Sequence, residues 1–374
     1  MSDGTTNTPM RKVRVAVLFG GQSDEHDVSL RSAQTIMDAL DSERYEIVPV
    51  GITREGQWVA NGDPLKALQS ISPMYAISAG DAVFGDATAS TDVVAVEVGG
   101  SGLPAGLTET VDIVFPALHG PKGEDGTVQG MLELAGVPYI GSGVLGSAVA
   151  MDKAVTKNLL TQAGLPQVPW VQVLRRDWER DPEAIEQLVG ERLGYPCFVK
   201  PANMGSSVGV GKARNPAELH DALREAARFD RKIVIEQGVN AREIELAVLG
   251  NDDPIVSVAG EVVPAGEFYD YNAKYIDDDA QLIIPAKIDR DVLAYMQELA
   301  IAAFQALDLA GLARVDFFLE KDTDRVFINE VNTIPGFTSI SMYPMLWEAS
   351  GVPLAELVDR LVQLGIERSR DGHR

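Results

Sequence analysis

A mixed α/β fold that opens in a doubly wound parallel layer is what this sequence predicts. Three observations carry that expectation. Val-rich Arg11 to Phe19, helically spaced Ser29 to Leu40 and apolar Tyr45 to Ile52 follow as strand, helix, strand, the order that builds parallel sheets. The 374 residues exceed one ordinary domain, so two or three are expected. A composition of 45% hydrophobic and 23% charged residues is that of a globular chain, not a disordered one.

Each element has a local reason. Gly20-Gly21 ends the first strand, and Leu30, Ala33, Met37 and Leu40 fall on one helical face. Pro64 to Thr110 is weakly patterned and rich in Gly, Ala and Ser; it is expected to be an insertion with short strands. Val111 to Ala117 is a buried strand. The charge-free run Leu134 to Met151 contains Pro138 and four glycines, so it is expected to form turns between buried elements rather than a membrane span. Lys153 to Ala163 is a helix closed by Gly164 and stopped by Pro166. Cys197 to Lys200 is a short strand before the Gly/Ser-rich stretch Asn203 to Gly209. Asn215-Pro216-Ala217-Glu218 starts a helix with a cap, a proline at the first position and an acid at the third. Strands follow at Ile233 to Gln237 and Glu243 to Leu249. Glu261 to Pro285 is a long loop with four aromatics, and Asp291 to Leu307 is an amphipathic helix. Strands Ala313 to Leu319 and Val326 to Val331 flank a polar turn, and Leu354 to Leu364 is helical. Breaks near Gly146 and Gly238 divide the chain into a polar tail, 1–10, expected to be disordered, and units 11–146, 147–237 and 238–374.

Composition excludes several function classes. The 55 acidic against 32 basic residues give a net charge of −23, which repels nucleic-acid backbones. One cysteine, Cys197, leaves no disulfide framework or Cys-rich zinc site, and its apolar neighbours read as core. The polar N-terminus is no secretory signal, so a cytoplasmic protein without membrane contact is expected.

The sharpest chemical signal is Asp316, Glu330 and Asn332. With Thr323 at the centre of the turn Lys321–Arg325, Asp316 and Glu330 stand directly opposite, and Asn332 shares their face. Two acids and an amide oxygen so placed suit Mg²⁺ carried with substrate phosphates. The bland alternative is a pair of solvated acids; flanking Val315, Phe317, Ile328 and Val331 argue against it. Gly205-Ser206-Ser207-Val208-Gly209, with Lys200 just before it, can cradle phosphate through backbone N–H groups, or be a plain glycine hairpin. It has no Walker spacing, and Gly20-Gly21-Gln22-Ser23 completes no dinucleotide fingerprint. His119-Gly120 and Gly123-Glu124-Asp125-Gly126 form a turn-rich loop after a buried strand, where α/β ligands bind.

Seven segments recur in a familiar order: FGGQSDEHDVSL from Phe19, HGPKGEDGTVQGMLELAGVPYIGSG from His119, MDK from Met151, VKPANMGSSVGV from Val199, FYDYNAKY from Phe268, RVDFFL from Arg314 and NEVNTIPGFTSIS from Asn329. Together they resemble the D-alanine–D-alanine ligase family of the ATP-grasp superfamily, from about Val13 to Leu364. The resemblance implies an ATP-grasp fold: an N-terminal doubly wound parallel-sheet domain that binds substrate, a small central α+β domain, and a C-terminal α+β domain with the metal site. It implies that ATP activates one D-alanine as an acyl phosphate and a second attacks it, giving D-alanyl-D-alanine for cell-wall precursors. It implies two Mg²⁺ ions, replaceable by Mn²⁺, on Asp316, Glu330 and Asn332, with Glu330 bridging, and a homodimer.

The same resemblance assigns roles. Lys153, Lys200 and Ser207 lie on the ATP side, Lys274 reaches the γ-phosphate, Glu236 meets adenine and Glu243 the ribose. Glu25 receives the ammonium of the first D-alanine, Ser206 and Tyr275 tie down the lid Phe268 to Tyr275, and Arg314 with the N–H of Gly336 stabilises an oxyanion. His119, Ser341 and Met342 are on the substrate side. His26-Asp27 departs from the Arg-Glu that relatives carry after Glu25, and Met342 replaces a frequent leucine. A D-alanine–D-lactate ligase is the runner-up; Ala273-Lys274-Tyr275 resembles the dipeptide-forming lid instead. An inactive ATP-binding regulator would lack a metal ligand, lysine or arginine, and none is missing. An acidic interaction scaffold would leave the convergent carboxylates unexplained.

Overall fold

A computed structural model describes residues 11–72, 98–99, 102–263 and 281–372. The first sheet contains β1 (Val13–Gly20), β2 (Tyr45–Ile52), β3 (Trp58–Val59) and β4 (Ile113–Pro116) in the order β3-β2-β1-β4. β1 runs parallel to both β2 and β4. Alternation along β1 divides its side chains between two cores. Val15, Val17 and Phe19 meet Leu30, Ala33 and Ile36 of α1 (His26–Ala39), while Ala16 and Leu18 meet the opposite layer. That layer draws on α3 (Leu107–Thr110) and α4 (Thr127–Leu134), after the short α2 (Pro64–Ser70). The doubly wound layer is therefore present.

Next come α5 (Val144–Met151) and α6 (Lys153–Gln162), the latter capped by Asp152, whose Oδ1 accepts from the N–H groups of Ala154 and Val155 at 3.1 Å each. The second sheet is antiparallel, β5-β8-β6-β7, from β5 (Trp170–Leu174), β6 (Cys197–Pro201), β7 (Gly211–Ala213) and β8 (Lys232–Gln237). Helices α7 (Arg175–Arg180), α8 (Pro182–Arg192) and α9 (Pro216–Phe229) accompany it. Asn215 caps α9 by accepting from the N–H of Glu218 at 3.1 Å, as its sequence requires. Leu219 and Leu223 then bury against Val199, Ile233 and Ile235.

The third sheet contains β9 (Ala241–Gly250), β10 (Ile255–Val263), β11 (Gln281–Ile283), β12 (Gly311–Glu320) and β13 (Val326–Asn332) in the order β11-β10-β9-β12-β13. One face packs on α10 (Arg290–Ala306) through Met296, Ala300, Ala303 and Phe304, and Leu160 of α6 joins that core. Fully burying a side chain such as Phe304 is worth ~1.5–3 kcal/mol. α11 (Met342–Ala349) and α12 (Leu354–Asp371) follow. Leu357, Val358 and Leu361 of α12 share one core with β1 and with Ala247 and Leu249 of β9, so the chain's end ties the first sheet to the third.

Several expectations need correction. Within Leu134 to Met151, residues 144–151 are a helix, because Gly146 lets that helix lie against Asp308 and Leu309; a Cβ there would meet Asp308 O at 2.5 Å. The described ends of Pro64 to Thr110 form helices, α2 and α3, and between them Val98 and Pro104 make only an isolated antiparallel bridge; residues 73–97 and 100–101 lie outside the described residues. The expected loop Glu261 to Pro285 begins inside β10 and contains β11 near its end. β3, β5, β7, β10, α4, α7, α8 and α11 were not predicted. The tail 1–10 also lies outside the described residues. No helix among the described residues is long and apolar enough to cross a membrane.

Candidate active site

The open face of the third sheet carries the site. On β12, Ala313, Val315, Phe317 and Leu319 are buried, so Arg314, Asp316 and Phe318 face the other way. Asp316 pairs with Glu330 on β13 and with Glu245 on β9. The register shifts between Asp316 and Phe317, because β13 carries one extra residue at Asn329. The bulge turns both Asn329 and Glu330 away from the core, and alternation resumes at buried Val331 and open Asn332.

Opposed carboxylates repel, and Arg314 offsets this. Its Nε and Nη2 donate to Asp316 at 2.7 Å each, and Nε lies 3.0 Å from Glu245 Oε2. Burial works against the guanidinium's charge, but Asp316 and Glu245 outweigh it and hold its proton more tightly than usual. Asn332 Nδ2 donates to Asp316 Oδ2 at 3.0 Å, leaving the Asn332 amide oxygen to a ligand. Among the described residues no three His, Cys, Asp or Glu side chains converge as a metal cage. Two carboxylates and an amide oxygen nevertheless fit Mg²⁺, a hard cation that keeps few protein ligands and shares substrate phosphates.

A cleft of about 750 Å³ lies between the second and third sheets and is lined by Lys153, Lys200, Ser207, Glu236, Glu243, Asp316 and Glu330. It is large enough for a nucleotide. Lys153 opens α6; its Nζ donates to Met204 O at 2.7 Å and lies 3.9 Å from Glu330 Oε2. Lys200 is the penultimate residue of β6, with Nζ 2.7 Å from Glu236 Oε2 and donating to Asn329 Oδ1 at 3.3 Å. Lys157 Nζ lies 2.9 Å from the other oxygen of Glu236. Burial alone would raise Glu236, but Lys157 and Lys200 outweigh it and hold its carboxyl down at about 2.

The loop after β6 joins this cleft to the first sheet. Ser206 and Ser207 adopt left-handed φ values of 49° and 59°, rare for residues with a Cβ, so the surrounding contacts must hold the turn. Ser206 Oγ donates to Glu25 Oε1 at 2.5 Å. Glu25 is the N-cap of α1 and, with Gln22, Ser23, Lys122 and Gly205, lines a pocket of about 180 Å³ that meets the cleft at Met204–Ser206. Gly205 permits the approach; a Cβ there would lie 3.2 Å from Glu25 Oε2. Glu124 accepts from the N–H of Gly120 at 2.8 Å. Part of its surface is open, yet burial of the carboxyl, then the charge of Glu25, pushes it up to about 8.

Other predicted residues are placed differently. His119 is buried and spans protein groups: Nδ1 is 3.0 Å from Ile334 O and Nε2 is 3.1 Å from Ser32 Oγ. Burial lowers its pKa, so it is neutral, donating to Ile334 and accepting from Ser32. Ser32 Oγ in turn accepts from the N–H of Phe337 at 3.1 Å, so His119 braces the 334–337 loop instead of facing the pocket. Ser341 precedes α11, and its Oγ accepts from the N–H of Thr338 at 3.0 Å; a Cβ on Gly336 would meet that Oγ at 2.8 Å. Met342 packs into the core against Gly260, where a Cβ would meet its Sδ at 2.6 Å, so its expected place beside substrate is corrected. Cys197 is core, its thiol pushed up to about 11 by burial. Lys274, Tyr275 and the lid Phe268 to Tyr275 lie outside the described residues. Lys157, Glu245 and Asn329 were missed. Only Lys157 carried a signal, since it follows Lys153 by one helical turn.

The comparisons with known proteins agree with one another. The family model described as D-ala D-ala ligase N-terminus matches residues 14–142, and D-ala D-ala ligase C-terminus matches residues 159–363. A D-alanine--D-alanine ligase of Heliobacterium modesticaldum is 52% identical over 367 residues, 98% of each chain. One from Geobacillus thermodenitrificans is 50% identical over 361 residues, 96% of this chain and 97% of its own. The solved D-alanine-D-alanine ligase of Coxiella burnetii superposes with a TM-score of 0.79 at 34% identity, covering 97% of this chain and 96% of that one. The VanG D-Ala:D-Ser ligase of Enterococcus faecalis gives 0.80 at 34%, covering 95% and 100%. With both halves matched and half of all residues identical from end to end, the chain belongs to the D-alanine–D-alanine ligase family.

Proposed function

We propose that this protein joins two D-alanine molecules into D-alanyl-D-alanine, consuming ATP and releasing ADP and phosphate. The observation that carries this reading is the Ser206–Glu25 contact, which sets a small pocket holding Asp24 and Glu25 against a nucleotide-sized cleft. A carboxylate is a poor electrophile, and phosphorylation by ATP makes it an acyl phosphate. Lys153 and Lys200 neutralise the phosphates and hold them in line with the attacking carboxylate. Glu25 holds the first D-alanine by its ammonium. Attack by the amine of the second D-alanine builds charge on the former carbonyl oxygen, which Arg314 and the N–H of Gly336 stabilise. Ser341 meets the carboxylate of that second D-alanine. Glu236 and Glu243 take the adenine and ribose, and Ser207 the phosphate side. Lys274 and Tyr275 complete the lid that keeps water from the acyl phosphate.

Asp316, Glu330 and Asn332 would hold two Mg²⁺ ions, or Mn²⁺ in their place, which supply charge neutralisation at the transferred phosphoryl group. Three units, 11–146, 147–237 and 238–374, would bind substrate, grip the nucleotide and carry the metal. The protein would act in the cytoplasm as a homodimer, supplying cell-wall precursors. The test is incubation with ATP, Mg²⁺ and a panel of D-alanine, D-serine and D-lactate. ADP release with a D-alanyl-D-alanine mass is expected; preference for D-lactate at neutral pH would replace this reading with the ester-forming one.

A further inference from the structure

We propose that Lys157 is the standing counter-ion of Glu236, a positioning residue that holds this carboxylate charged and in place while Lys200 turns from it to a nucleotide phosphate. The inference deepens the nucleotide reading of the cleft and rests on it.

Three elements supply the three charges: Lys157 from α6, Lys200 from β6 and Glu236 from β8. Each lysine takes a different carboxylate oxygen, at 2.9 and 2.7 Å. Their surroundings differ. Lys200 retains 12% of its side-chain surface and lines the cleft with Glu236, whereas Lys157 retains 2% and does not line it. Lys157 approaches from behind, on a helix whose Leu160 is locked into the core of the third sheet. Lys200 also holds Asn329, beside the opposed carboxylates. It is therefore the cation placed to exchange partners.

A single carboxylate between two ammonium groups leaves one positive charge in excess, the state an empty anion site requires. When Lys200 swings to a phosphate, Glu236 loses one counter-ion in a place where an unpaired charge is very costly. Lys157 removes that difficulty, because among the described residues Glu236 is the only anion within ion-pair distance of it, and its 2% exposed side chain reaches only a small cavity of about 30 Å³ beside Glu330. Burial presses Lys157 toward neutrality and Glu236 opposes this. Glu330 and Glu243 also face the group from the third sheet, and both favour charge on Lys200. Without Lys157, binding a nucleotide would force Glu236 to take up a proton. It would then no longer present two acceptors to the base.

The test is calorimetric titration of the full chain with ATP between about pH 5.5 and 8.5, with melting curves to establish folding. Wild type should bind ATP with little pH dependence. Lys157→Met should bind at least tenfold more weakly at the alkaline end, its affinity falling by up to about tenfold per unit of rising pH because binding now requires Glu236 to take up a proton. Lys157→Arg should restore the flat profile. Should Lys157→Met fail to fold, Glu236→Gln removes the buried anion, and Lys157→Met in that background should have no further effect on ATP affinity; a further tenfold loss there would overturn the proposal. Wild-type binding of ATP with an equally tight, pH-independent Lys157→Met overturns the proposal and leaves the nucleotide reading standing. No ATP binding by wild type overturns both.

Discussion

Ser206 Oγ donates to Glu25 Oε1 at 2.5 Å, although 181 residues separate them in the chain. The bond closes the loop after β6 onto the N-terminus of α1, so a residue of the loop proposed to grip the nucleotide orients the residue proposed to hold the first D-alanine. Hydrogen bonds to charged groups contribute ~1.5–3 kcal/mol. Ser206→Ala should therefore raise the KM for the first D-alanine roughly 10-fold or more, while the Kd for ATP stays within about threefold. Steady-state kinetics with calorimetry separate the two; an unchanged D-alanine KM would remove Ser206 from this role.

Metal dependence should follow the geometry of β12 and β13. Chelation should stop turnover, and Mn²⁺ should restore it, because both ions accept hard oxygen donors. Glu330→Gln should lower kcat by roughly 100-fold or more, and Asn332→Ala by less, since Glu330 would serve both ions. Full turnover in Glu330→Gln would defeat the metal assignment.

Glu124 makes stability depend on pH in a stated direction. Its carboxyl rises from an ordinary 4.5 to about 8 on folding. The folded state therefore binds the extra proton, and this contribution is fully present below about pH 4.5 and lost as pH rises through about 8. Glu124→Gln should flatten that limb and gain stability relative to wild type between pH 5 and 8. Urea midpoints across that range measure it, and parallel curves for the two proteins would refute it.

Met342 packs against Gly260 in the core rather than against substrate. Met342→Leu should thus leave both D-alanine KM values unchanged. It should alter stability by less than ~1.5 kcal/mol, as volume-conserving swaps do. A selective shift in the KM of the second D-alanine would place Met342 at the site after all.

The sequence by itself determined the order of the motifs, the opening strand–helix–strand unit and the cap of α9, because periodicity and capping are local. It also placed Asp316 opposite Glu330, as observed. That success has a subtle origin. A hairpin symmetric about Thr323 would set Leu319 against Phe327, yet Leu319 pairs with Val326, and only the extra residue at Asn329 brings Asp316 and Glu330 into line. A bulge has no local signature in this strand. Tertiary structure decided the rest: Lys157 behind Glu236, His119 between Ser32 and Ile334, and α12 across the first and third sheets. Those contacts join residues far apart in the chain. Burial selects them: a charge or imidazole removed from water must find a partner wherever the packed core brings one.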